Sequence, residues 1–208
     1  DHRDLHSFPT RRSSDLSPLQ ADALRRAVRA RRNILVAGGT ASGKTTLTNA
    51  LLAELAESAE RLVLIEDTRE LQCAAPDCVA LRTRTDVVSL RDLVRSTLRL
   101  RPDRIIVGEV RGGEALDLLK AWNTGHPGGI ATLHANSAQA ALYRLEQLAQ
   151  EAVVTVPRRL IAEAMDLIVH IQSRGGQRRV DAIARTDGLD AHGDYRIVTL
   201  GPADLQQL

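Results

Sequence analysis

Residues Gly38-Gly39-Thr40-Ala41-Ser42-Gly43-Lys44-Thr45 match the pattern G-x-x-x-x-G-K-[ST]. Glycines at this spacing let backbone amides turn inward around phosphate oxygens. A helix opening at the end of the loop adds the positive end of its dipole. Lys44 is then placed to reach the outer phosphates of ATP, Thr45 to ligand Mg²⁺, and Thr46 to close the binding segment. Two of the 28 basic residues are lysines, Lys44 and Lys120. Where arginine serves nearly everywhere else, a lysine marks a place for a compact point charge.

Two further stretches run apolar and then acidic. Arg104-Ile105-Ile106-Val107-Gly108-Glu109 reads as a buried strand ending in a carboxylate, and Leu64-Ile65-Glu66-Asp67-Thr68-Arg69-Glu70 repeats the arrangement. Hydrolysis needs one carboxylate near the metal and another near the attacking water, and two such strand ends supply both. Glu109 is expected to hold Mg²⁺ through water or to polarise the attacking water. Glu66 and Glu70 complete the cluster; which glutamate is the base stays open, and pairing with nearby arginines is the plainer alternative for both. His134, at the end of the apolar run Ile130–His134, reaches the same edge and can hydrogen-bond a terminal phosphate. His126, in the loop Gly125-His126-Pro127-Gly128-Gly129, is read as holding that loop. Arg95, Arg99, Arg101 and Arg111 flank the strand 104–109. Either they solvate a face, or one of them stabilises transition-state charge in a neighbouring subunit.

For these groups to meet, apolar strands must alternate with helices. Ser17-Pro18 opens a helix to about Ala30, and Ile34–Ala37 is a strand. Thr45–Glu57 is a helix, Arg61–Glu66 and Val79–Arg82 are strands, and Ser89 caps a helix to about Leu98. Arg104–Glu109 is a strand, Glu114–Asn123 a helix, Ile130–His134 a strand, and Ala138–Ala149 and Pro157–Ala164 are helices. Asp166–Gln172, Arg178–Ala184 and Tyr195–Leu200 close the chain as strands, the first two joined at Gly175-Gly176. Short, fully apolar strands between amphipathic helices predict an α/β fold. Its sheet is mainly parallel and covered on both faces, with a short antiparallel C-terminal extension.

Composition sets outer bounds. The 208 residues are 43% hydrophobic and 26% charged, enough for a packed core in one domain, and no apolar run approaches membrane-spanning length. Aromatics make up 2% and the net charge is +2, which argues against stacked-base or electrostatic nucleic-acid binding. Cys73 and Cys78 are read as small buried hydrophobes rather than a zinc site. Residues 1–16 lack the periodicity of the rest and are read as a non-native tail, 17–201 as the domain, and 202–208 as a C-terminal tail.

The phosphate loop GGTASGKTT, the segment IEDTREL, the stretch LRLRPDRIIVGEVRGGEALDLLKAWNTGHPGG and the block ATLHANS come in the order seen in the type II/IV secretion ATPase superfamily. Together they resemble it over residues ~33 to 140, and the GHPGG segment is most similar to the conjugal-transfer (TrbB-type) branch of type IV secretion. The resemblance implies a RecA-like P-loop NTPase domain, Mg²⁺-dependent ATP hydrolysis and a homohexameric ring. Such a ring would be cytoplasmic and peripheral to the inner membrane, where it would join secretion-system inner-membrane components to power pilus biogenesis or substrate transfer. It maps Gly38, Gly43, Lys44 and Thr45 to the phosphate loop, Glu66 and Glu70 to the "Asp box", Glu109 to Walker B, His134 to the "His box", and Arg99 and Arg101 to interface positions. Family members carry a further N-terminal domain, so the chain is expected to be a fragment. A nucleotide-gated scaffold with little hydrolysis, and a pilus-assembly or type II secretion ATPase, are the alternative functions.

Overall fold

The computed structural model describes residues 16–175 and 177–208. Of the tail read at 1–16, only Leu16 is therefore described, and it packs half-buried against the core. Gly176 also lies outside the described residues.

Among the described residues, eight strands form one sheet in the order β3-β2-β4-β5-β1-β6-β7-β8. These are β1 (Ile34–Gly38), β2 (Leu62–Glu66), β3 (Cys78–Arg82), β4 (Arg104–Val107), β5 (Ile130–Leu133), β6 (Leu167–Arg174), β7 (Gln177–Leu189) and β8 (Tyr195–Thr199). The first six run parallel, and β7 and β8 turn antiparallel, as the apolar runs predict. Successive side chains on a strand face opposite ways, so each central strand feeds two cores. Leu35, Val63, Ile65, Ile105 and Val107 pack under helices α3 (Leu90–Thr97), α4 (Glu114–Asn123), α5 (Ala138–Gln150) and α6 (Arg158–Ala164). Ile34, Val36, Leu62, Leu64 and Ile106 pack under α1 (Pro18–Arg29), α2 (Lys44–Ala53) and α7 (Pro202–Gln207).

Local chemistry starts the helices where the sequence indicates. Ser17 and Ser89 each form a capping box, with Gln20 and Asp92, and the Ser137 hydroxyl accepts from the Ala140 amide at 3.0 Å. The largest buried aromatic among the described residues is Trp122, which anchors the aliphatic core. Trp122 donates through Nε1 to the Ile105 carbonyl at 3.1 Å, and a Cβ at Gly129 would fall 2.0 Å from that nitrogen. No described helix is long and apolar enough to cross a membrane.

Three expectations need correction. Helix α2 ends at Ala53 rather than Glu57, because Leu55, Ala56 and Ser58 bond back three residues and tighten the chain into turns. Strand β7 runs to Leu189 rather than Ala184 because β8 continues to pair with it beyond a bulge. Residues 202–208, expected as a frayed tail, instead form α7. Pro202 starts it, the Gly201 amide donates to Asp204 Oδ2, Leu205 is buried, and Arg26 donates to the Leu205 carbonyl at 2.6 Å. Cys73 and Cys78 are half-buried free thiols against the second core, and burial, with the Cys73 hydrogen bond next, pushes the Cys78 thiol up to about 12.

Candidate nucleotide site

Strand β1 delivers the glycine-rich loop at its C-terminal end. A Cβ at Gly38 would lie 2.5 Å from both the Ile171 carbonyl and the buried Ser42 hydroxyl, so the loop passes where only hydrogen fits. Ala41 (φ 57°) and Gly43 (φ 101°) both take the left-handed conformation, which curls the amides inward before α2 begins at Lys44. Lys44 is 9% exposed, and its Nζ donates to the carbonyls of Gly38 (3.1 Å) and Gly39 (2.9 Å). Burial lowers its pKa below the ordinary lysine value, and the charges of Glu109 and Glu70 oppose the shift.

The acidic ends of β2 and β4 emerge side by side because Ile65 pairs with Val107. Glu66 is buried, and its Oε1 accepts from the amides of Glu70 (2.9 Å) and Leu71 (2.7 Å), fixing the acidic loop that follows β2. A Cβ at Gly108 would come within 3.1 Å of Glu66 Cγ, so glycine there gives this carboxylate room. Glu70 accepts from the Thr45 hydroxyl at 2.9 Å, which brings the acidic loop onto the first turn of α2. Glu109 Oε1 lies 2.9 Å from His134 Nε2. β5, which His134 follows, runs between β1 and β4, so the carboxylate strand is one place removed from the loop strand rather than directly beside it. The Thr132 hydroxyl donates to the Gly108 carbonyl at 2.6 Å and tethers β5 to the Glu109 turn.

Thr40, Ala41, Lys44, Thr45, Glu66, Glu70, Glu109 and His134 thus share one cavity of about 290 Å³. Arg111, expected as an interface arginine, also lines it, paired with Asp67. The remaining sequence candidates lie elsewhere. Gly39 and Ser42 face the loop's outer side, towards Asn136 and His170, while Gly43 and Thr46 border a small apolar niche with Ile171 and Val180. Arg99 and Arg101 precede β4, at the edge opposite the cavity, and Arg95 pairs with Asp117 at 3.1 Å. His126 Nδ1 lies 2.7 Å from the Pro102 carbonyl and holds its loop as read.

Two contributors escaped the sequence reading. Asn49, one helical turn beyond Thr45, donates to the Glu70 carbonyl (3.0 Å) and accepts from the Gln72 amide (2.9 Å), clamping the acidic loop. Asp67 accepts from the Thr83 hydroxyl at 2.8 Å as well as from Arg111. Its position beside Glu66 was the available signal; Asn49 gave none. Chemically, the cavity brings a glycine-rich loop and a lysine ammonium together, a set that could take phosphate oxygens. It also offers hydroxyl and carboxylate oxygens, the donors a hard divalent cation takes, and a carboxylate braced by an imidazole.

A family model described as "Type II/IV secretion system protein" matches residues 12–182. Over 178 residues the chain is 54% identical to the conjugal transfer protein TrbB of Rhizobium radiobacter, covering 85% of this chain and 55% of that protein. It is 45% identical over 186 residues to the type IV secretion system protein PtlH of Bordetella pertussis, covering 82% and 55%. Among solved structures, the VirB11 ATPase from the Brucella suis type IV secretion system, in complex with sulphate, superposes with a TM-score of 0.73 at 33% identity, over 88% of this chain and 60% of that one. The chain spans a little over half the length of the curated relatives it matches.

Proposed function

Since this chain belongs to the type II/IV secretion system protein family, we propose that it is the ATP-hydrolysing portion of a conjugal-transfer or type IV secretion motor. The observation that carries the reading is the meeting of Lys44 and Thr45 with Glu66, Glu70, Glu109 and His134 in a single cavity. The amides of the loop Gly38–Gly43 and the Lys44 ammonium bind the β- and γ-phosphates. The Thr45 hydroxyl, with Glu70 bonded to it and Glu109 through water, would hold Mg²⁺, which supplies charge neutralisation on the phosphate oxygens when bound. We assign the general base to Glu109, whose Oε1 lies 2.9 Å from His134 Nε2, while Glu66 Oε1 is spent on two amides and Glu70 engages Thr45. Held by His134, Glu109 takes a proton from water as the water oxygen bonds to the γ-phosphorus. The bond from that phosphorus to its bridging oxygen breaks, releasing ADP and phosphate. We further propose, from the resemblance to the secretion ATPases rather than from anything the relatives' names state, that the whole protein is a homohexameric ring peripheral to the inner membrane, energising pilus biogenesis or substrate transfer.

Phosphate release with Mg²⁺ and ATP tests this reading. Glu109→Gln should lower turnover by at least about a hundredfold with ATP binding retained. Equal, negligible rates for both proteins with binding intact would favour a nucleotide-gated scaffold.

A further inference from the structure

We propose that Arg111 reads the terminal phosphate within its own subunit and that Asp67 holds it in reserve until a triphosphate arrives. The inference rests on reading the cavity as a nucleoside triphosphate site. The backbone at Arg111 is pinned, because the amides of Arg111 (2.7 Å) and Gly112 (2.9 Å) both donate to Oε1 of Glu114, a buried carboxylate at the first residue of α4. The side chain is held more loosely: it is 55% exposed, pairs with Asp67, and its Nε stands 4.0 Å from Glu109 Oε2. A fixed root and a tip held by a half-exposed ion pair let the guanidinium swing across the cavity mouth without moving the fold.

The balance of charge gives the swing a direction. Asp67 is the guanidinium's ion-pair partner, and a half-exposed pair of this kind is cheap to break. A γ-phosphate beside Glu109 would bring more negative charge, with oxygens that match the planar fork of arginine. A diphosphate ends in the glycine loop and offers nothing at that position. Arg111 therefore separates ATP from ADP, and Asp67 lowers apparent ATP affinity by occupying the fork beforehand. When Asp67 is released it keeps its hydrogen bond from the Thr83 hydroxyl and stays 31% exposed to solvent, so the freed carboxylate is not buried alone.

Calorimetric titration with Mg²⁺·ADP and with a non-hydrolysable ATP analogue tests this. Arg111→Gln should weaken the analogue about tenfold and leave ADP within about twofold. Asp67→Asn, which removes the competitor and keeps Arg111, should tighten the analogue several-fold (about threefold) without changing ADP; a residue that only stabilised the fold would not do so. Equal weakening of both nucleotides by Arg111→Gln, or an unchanged or weaker analogue with Asp67→Asn, overturns the assignment. If the unsubstituted chain binds neither nucleotide, the triphosphate-site reading falls and takes this inference with it.

Discussion

Lys44 stands in for its own ligand. With its ammonium on the carbonyls of Gly38 and Gly39, the loop keeps a charge at its centre, and on the proposed reading an incoming triphosphate would exchange those carbonyls for phosphate oxygens. Lys44→Ala should therefore lose nucleotide affinity by at least about tenfold in titration calorimetry. The depressed pKa adds a pH signature. As pH rises, Lys44 loses its proton before an ordinary lysine would, so triphosphate affinity should fall below the usual value of 10.5, while Lys44→Arg stays flat across that range. For stability the sign reverses: between the depressed value and 10.5 the unfolded chain binds more protons, so burying this lysine costs less as pH rises. Glu66 gives a second contrast. Glu66→Ala strands two amides and should cost about 2–4 kcal/mol in urea unfolding, whereas Glu66→Gln keeps an acceptor and should cost under about 1 kcal/mol. Lys44, Glu66 and Glu109 were legible because motif spacing and apolar strands fix where they emerge. Asn49 and Asp67 act through partners 16 to 44 residues away, and although Asp67 stands beside Glu66, no local pattern names those partners.

At the scale of elements, what the sequence made visible follows from how local each signal is. Ser17 and Ser89 announce their helices with side chains three residues from the amides they cap. α7 has too few residues for an amphipathic period, and it exists because α1 offers a surface for Leu205 and a guanidinium for its carbonyl. Leu205→Ala should cost about 2–3 kcal/mol in chemical unfolding, in line with truncation of a buried leucine. Gly129 tests close packing from the other direction. It opens onto Trp122 with no space for a methyl, so Gly129→Ala should destabilise by about 1–3 kcal/mol or more in the same assay and perturb tryptophan fluorescence.

Across the whole molecule, Arg104 joins parts that the sequence leaves far apart. At 3% side-chain exposure it pairs with Glu60 at 2.6 Å and donates to the carbonyls of Val28 (2.8 Å) and Gly128 (3.4 Å), while Glu60 also pairs with Arg31 at 2.9 Å. Arginine at a strand start gave no hint of burial, because its partners come from α1 and from the loops before β2 and β5. Arg104→Ala should cost about 3–5 kcal/mol in thermal or urea unfolding, since Glu60 and two carbonyls lose their shared donor. The interposed β5 carries a further consequence. Neighbouring strands lie about 4.8 Å apart, so the tips of β1 and β4 are held close to 10 Å from each other. On the proposed reading, that width would suit a phosphorus centre and one oxygen nucleophile lying in line, and a single intervening strand would then set the reaction distance.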